Sequence, residues 1–179
     1  MASSAYLELE PEVHTALLRH LLPPSPYAEE AAFVFARAIP TATVETVLQC
    51  AEHELVAPDG FAFRSLYGFE LTDATRGRII KRAHDLCSTI VEFHSHPFPC
   101  QAKFSLSDRA GLEEVAPHVR WRLRGKPYVA VVVAPTSFDA LVWAGEMSAP
   151  PRTLDGIRVG TNCLRPTGLS EQHWRVHNA

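Results

Sequence analysis

Two histidines one residue apart, His94 and His96, close an apolar run in the stretch TIVEFHSHPFPCQAKFSLSD, residues 89–108. Successive side chains of a strand alternate faces, so residues two apart project on the same side, about 6.5 to 7 Å apart along the chain. Both imidazoles can therefore converge on one point, an order of residues that core packing does not ask for. Imidazole nitrogens bind zinc at about 2.0–2.1 Å, and two of them at a strand end make a rigid half-site that needs a third ligand and a water. Asp108, separated from His96 by the loop PFPCQAKFSLS, can supply that ligand because the loop is long enough to turn back. An aspartate at the opening of a helix is also well placed to be held by local backbone amides.

These residues resemble the JAMM motif of the JAB/MPN metalloproteases: an upstream glutamate, His-Ser/Thr-His-Pro, a short loop and Ser-x-x-Asp. His94, Ser95, His96, Pro97, Ser105 and Asp108 match it. The loop is one residue longer than the motif usually has, and FPCQAK absorbs the difference because Ser105 and Asp108 keep their own spacing. Aligning AAFVFA with the family's Gly-Leu-Leu-x-Gly strand assigns Glu29 as the catalytic glutamate, with Glu30 the alternative if the register is off by one. The resemblance implies one Zn2+ per chain on His94, His96 and Asp108, with Glu29 as general base and then proton donor to the leaving amine. Ser105 would donate a hydrogen bond to the developing oxyanion or orient the metal water.

The resemblance further implies a JAMM-type zinc metallopeptidase, a deubiquitinase-like isopeptidase. It would cleave peptide or isopeptide bonds after the C-terminal tail of a ubiquitin-like or sulfur-carrier-like protein. Separate E1-like and E2-like chains, resembling ubiquitin-activating and ubiquitin-conjugating enzymes, are the implied partners. Two other readings stay open. A catalytically silent MPN scaffold usually loses a ligand or the serine, and both are present here. A zinc hydrolase of a small molecule or nucleotide would sit better with a phosphate loop or a basic cleft, which the sequence lacks.

Neighbouring residues have plainer roles. Ser95 points away from both imidazoles and is expected to be structural. Glu92 shares the strand face of His94 and His96 and is a rival base, one strand step farther from the metal. Cys100 reads as a loop residue, and Glu113 and Glu114 as a solvated helix face. The histidines at 14, 20, 53, 84, 118, 173 and 177 have no paired spacing and read as surface or packing residues.

The elements that must hold the site are legible from periodicity. Leu7 and Leu9 alternate around Glu8. Val13, Leu17, Leu18, Leu21 and Leu22 recur at helical spacing behind Pro11, and Pro23 and Pro24 end that helix. EEAAFVFARAI and TVETVLQCAEHELV read as a pair of hairpin strands, and Asp73 to Cys87 as a second helix with Ile79, Ile80, Ala83 and Leu86 on one face. Residues 89–96 form a strand. A third helix opens at Ser105 or Ser107 and meets a possible distortion at Pro117. YVAVVVAP and FDALVWAG then make two core strands, and Gly156 to Val159 one short strand. This succession, without a regular βαβ rhythm, predicts an α+β fold, an α/β/α sandwich around a mixed, curved sheet. The resemblance makes it an MPN/JAB domain, cytidine-deaminase-like.

At 179 residues, with 46% hydrophobic and 21% charged residues, the chain is expected to form one catalytic domain. Its core spans about 7–145, and 146–179 is a C-terminal extension whose role the sequence leaves open. A net charge of -3 leaves no electrostatic footprint for nucleic acid, and RWRLRGK at 120–126 is too short to make one. The longest apolar run is YVAVVVAP and the N-terminus has no signal-peptide pattern, so no membrane partner is expected and the location is read as cytoplasmic. Four cysteines without CxxC spacing read as isolated thiols.

Overall fold

The computed structural model describes residues 4–39, 41, 45–171 and 174. In chain order the elements are β1 (Ser4–Leu9), α1 (Pro11–Leu21), β2 (Ala31–Ile39), β3 (Glu45–Leu55), β4 (Phe61–Ser65), β5 (Gly68–Leu71), α2 (Asp73–Asp85), β6 (Thr89–Ser95), α3 (Leu106–Arg122), β7 (Tyr128–Ala134), β8 (Ser137–Trp143), β9 (Arg152–Thr153), β10 (Gly156–Val159) and β11 (Asn162–Leu164). Among the described residues, nine strands form one mixed sheet in the order β11-β10-β1-β3-β2-β6-β7-β8-β9, while β4 and β5 pair as a separate hairpin. The pairs β1–β10, β1–β3 and β6–β7 are parallel, and β2 runs antiparallel to both of its neighbours.

Side-chain alternation divides the central strands between two cores. Val34, Val91, Phe93, Val129 and Val131 pack with Leu17 and Leu21 of α1 on one face. Phe33, Phe35, Ile90, Ala130 and Val132 pack on the other with Ile79 and Ala83 of α2 and Leu112 and Val119 of α3. Helices therefore cover both faces of a mixed sheet, which is the expected layering. Fully burying each of the larger aliphatic side chains contributes about 1.5–3 kcal/mol. The α1 stripe over β2 and β3 thus anchors the strand that follows Glu29 and Glu30.

The helix boundaries follow their local chemistry. Pro11 opens α1, where its missing N–H costs nothing. Thr72 caps α2 by accepting from the Thr75 amide. Of the two candidate caps for α3, Ser105 is the one used. The helix runs through Pro117 to Arg122, so the possible distortion there does not end it.

Two features go beyond the sequence reading, and one expected strand is described only in part. The β4–β5 hairpin carries no sequence signal that separates it from a loop, and it turns at Gly68, whose φ of +150° suits a residue without Cβ. The strand expected from Thr43 is described from Glu45 onward, its first residues lying outside the described set. Among the C-terminal residues the expected strand at Gly156–Val159 forms as β10 against β1, while β9 and β11, which the sequence reading did not include, join the same sheet. The four cysteines are unpaired thiols. No helix among the described residues is long and apolar enough to cross a membrane.

Candidate metal centre

The site forms at the carboxyl end of β6, where that strand lies between β2 and β7. Antiparallel register pairs Ala31 with His94. One step on, the Ser95 amide donates to the Glu30 carbonyl at 3.0 Å, and the Ser95 hydroxyl accepts the Glu30 amide at 2.9 Å. Ser95 is fully buried, and its structural role is to lock these two strand ends together. A further step along the same register brings Glu29 beside His96. The hairpin holds Glu29 from the other side, since the Glu29 amide donates to the Ser65 carbonyl at 2.7 Å.

Adjacent glutamates are thereby sent in opposite directions. Glu30 pairs with Arg64, whose guanidinium also contacts Tyr27. Glu29 faces the imidazoles, with Oε1 3.8 Å from His96 Nε2. Its Oε2 is buried without a hydrogen-bond partner. Burial is the main cause that pushes the Glu29 carboxyl from its ordinary 4.5 up to about 7; His94 and His96 oppose the rise and Asp108 adds to it.

Asp108 is held by a capping box. Its Oδ2 accepts the Ser105 amide at 2.7 Å, and Ser105 Oγ accepts the Asp108 amide at 3.1 Å. The same Oδ2 lies 3.2 Å from His96 Nε2 and 3.6 Å from His94 Nε2. Burial would raise the Asp108 pKa, but the two histidines and Ser105 outweigh it and hold the carboxyl well below the usual carboxylate range. Ser105 itself is exposed, and accepting the Asp108 amide leaves its hydroxyl proton able to donate.

The His94 ring is 2% exposed and lies between the rings of Phe69, at 5.8 Å, and Phe104, at 5.6 Å. Neither of its nitrogens has a hydrogen-bond partner. Nε2 faces Asp108, while Nδ1 lies 4.0 Å from Glu92 Oε1. Glu92 also accepts from the buried Tyr128 hydroxyl. This places Glu92 at the rear of His94, on the opposite nitrogen from Asp108. Burial disfavours the imidazolium of His94, yet the carboxylates of Asp108, Glu92 and Glu29 around it raise its pKa on balance.

The donor set fits a metal ion. The ligand atoms of His94, His96 and Asp108 all lie within 4.8 Å of one another. Two ligands at about 2.1 Å from a tetrahedral ion stand roughly 3.4 Å apart. The separations of 3.2 and 3.6 Å fall on either side of that spacing. Buried polar atoms are nearly always partnered, and His94 Nε2, which has no hydrogen-bond partner in the protein, is free to serve as a ligand beside Asp108 and His96.

A groove of about 780 Å3 runs between α2 and α3 and reaches the site at His94 and Asp108. Phe69 of the hairpin lines it, as do Gly77 of α2 and Gly111 of α3. Sequence reasoning missed Arg64, which separates the two glutamates, and Phe69 and Phe104, which pack His94. Arg64 and Phe69 sit on the short hairpin, and neither carries a local signal. Glu113 and Glu114 are exposed, as expected. Cys100 is exposed in the loop, and His173 and His177 lie outside the described residues. No family model matches the chain, and no curated protein matches it.

Proposed function

We propose that this chain is a zinc-dependent metallopeptidase of the JAMM type, cleaving a peptide or isopeptide bond after the C-terminal tail of a ubiquitin-like or sulfur-carrier-like protein. The observation that carries the reading is the buried Glu29 carboxyl, whose Oε1 lies by His96 and whose Oε2 has no protein partner, facing His94, His96 and Asp108. A silent scaffold has no need to bury a carboxyl beside two imidazoles at that place.

Zinc held by His94, His96 and Asp108 would polarise the scissile carbonyl and lower the pKa of water toward about 7. Glu29 takes one proton from the attacking water at its free Oε2, as the water oxygen bonds to the carbonyl carbon. It then delivers that proton to the amine nitrogen as the C–N bond breaks. The Glu29 carboxyl faces the imidazoles from the strand end, within reach of a group held by them, which suits it to holding and releasing that proton. Ser105 donates its hydroxyl hydrogen to the carbonyl oxygen as negative charge develops there. The groove between α2 and α3 gives an extended tail a route to the site, and glycine is the residue expected before the cut, because a larger side chain there would displace the carbonyl.

The test is cleavage of paired fusions whose ubiquitin-like tail ends in Gly or Leu. The Gly fusion should be cut with kcat/KM roughly 10²-fold above the Leu fusion, because a misplaced carbonyl loses most of the advantage of orientation. Equal rates would show that the tail is not read at that position. No cleavage by zinc-loaded protein of any ubiquitin-like fusion would count against the substrate class.

A further inference from the structure

The C-terminal segment runs along the loop that joins His96 to Asp108. Thr167 donates its hydroxyl to the Ala102 carbonyl at 2.8 Å, and Ser170 Oγ accepts the Phe104 amide at 2.9 Å. The segment is itself fixed by Asp139, a fully buried residue of β8. Asp139 Oδ1 accepts the Gly168 amide at 2.9 Å and the Ala140 amide at 3.0 Å, while Oδ2 accepts the Ser170 amide at 2.8 Å. From the same strand, Ser137 Oγ accepts the Ala102 amide at 2.9 Å. A buried carboxylate is tolerated when several donors meet its charge, and here two of the three come from the segment near the C-terminus.

Phe104 is where these bonds reach the site. Its amide is held by Ser170, its buried ring packs on the His94 imidazole, and the next residue, Ser105, closes the capping box with Asp108. Two ligands of the triad thus depend on the placement of one loop residue. That residue is anchored by a contact 66 positions along the chain. Trp174 extends the anchoring, stacking edge-on against Trp143 at 5.6 Å.

We infer that the C-terminal segment is a strut for the metal centre, in which Asp139, Thr167 and Ser170 are positioning residues that act on His94 and Asp108 through the loop at Ala102 and Phe104. The inference rests on the metal reading of the triad and is independent of which bond is cut. A plain packing role for the segment predicts lost stability at unchanged metal affinity. A strut predicts lost affinity at matched stability.

Zinc affinity of the full chain, measured by competition with a chromophoric chelator, separates the two. Ser170→Ala and Asp139→Asn should bind zinc roughly 10- to 100-fold more weakly than wild type, the range found when partners behind metal ligands are removed. Leu17→Ala, which lowers the thermal midpoint from the opposite face of the sheet, should keep wild-type affinity. Wild-type affinity in Ser170→Ala overturns the strut, as does an equal loss in Leu17→Ala. Should Asp139→Asn fail to fold, Thr167→Val tests the same loop from a half-buried position. Hydrogen exchange in the metal-free chain gives an arm that needs no zinc: Ser170→Ala should speed exchange at the amides of residues 102–108. Unchanged exchange there overturns the strut. Faster exchange in a protein whose wild type takes up no zinc keeps the strut and sinks the metal reading.

Discussion

On the α1 face of the sheet, Leu, Val and Ala side chains from β1, β2, β6 and β7 close over Leu17 and Leu21, with Phe93 among them. On the opposite face the same strands present Glu92, His94 and Tyr128, and the helices that cover them leave a groove of about 780 Å3. Alternation makes the contrast possible: Val91 and Phe93 fill one core while Glu92 and His94, their neighbours in sequence, build the other side. The close-packed face fixes the backbone. A fixed backbone can then hold a buried imidazole, a buried carboxyl and open space that would be unfavourable in a looser scaffold. Both faces carry a buried core, and the candidate site with its groove opens on only one of them.

The largest test of this contrast is on the groove face. His96→Ala should lose most of its zinc, since two protein ligands rarely retain a catalytic ion, and activity should fall with it. Elemental analysis below a tenth of a metal per wild-type chain after chelator-free purification would sink the metal reading outright. Glu29→Gln should keep zinc and fold yet lose turnover by roughly 10²- to 10⁴-fold, because an amide cannot accept the proton. Glu30→Gln should change turnover far less, its carboxylate being turned toward Arg64. A dead Glu30→Gln beside an active Glu29→Gln would reverse the assignment.

The opposite face should answer in stability rather than turnover. Leu17→Ala removes a buried side chain from the aliphatic core and should cost about 2–5 kcal/mol in chemical denaturation. Turnover at temperatures where the variant stays folded should match wild type. A fall in turnover as large as that of Glu29→Gln would dissolve the division between faces.

Much of this division is legible in the order of residues alone. HxH at a strand end and Ser-x-x-Asp at a helix start are local patterns, and each side chain's direction follows from the period of its element. The choice between Glu29 and Glu30 is different. Two adjacent glutamates entering a strand are equivalent in one dimension, and what separates them is Arg64, which reaches Glu30 from the hairpin 34 positions along the chain. That hairpin has strands of five and four residues, too short to announce themselves by alternation. Of the C-terminal strands, β10 is read at Gly156 to Val159, while β9 and β11 are shorter still, at two and three residues. The partners of β9 and β11 lie on β8 and β10, so these two are made by pairing rather than by local propensity.

A smaller effect concerns proton binding in the metal-free protein. The Glu29 carboxyl is raised from 4.5 to about 7, so the folded state holds this proton more tightly than the unfolded chain does. The associated stability is fully present below pH 4.5 and is lost as pH rises through 7. Over that window wild type should lose roughly 3 kcal/mol relative to Glu29→Gln, which has no carboxyl to ionise. Denaturation of both metal-free proteins at pH 4.5 and 7.5 measures it. Adding zinc should shrink the difference, since a nearby dication favours the carboxylate. A pH-independent gap between the two proteins would mean that Glu29 ionises as freely as an exposed glutamate.

The smallest expected effect probes the groove itself. Gly77 and Gly111 lie inside α2 and α3 and both line the groove, and a Cβ added to either would meet no atom within 4 Å. Neither has a positive φ that would require glycine. Glycine in a helix interior is less favourable than alanine by about 0.5–1 kcal/mol, so each position forgoes stability without gaining a close helix contact. Gly77→Ala and Gly111→Ala should therefore each raise stability by about that amount, because the added methyl enters open space. If the groove carries the substrate tail, Gly111→Leu should raise KM by several-fold while zinc affinity stays at the wild-type value, since its longer side chain projects into the path toward His94 and Asp108. Stabilised alanine variants with an unchanged KM in Gly111→Leu would show that the tail reaches the site by another route. A destabilised Gly77→Ala would show that the helices close on each other in solution, and that the space between them is filled rather than kept.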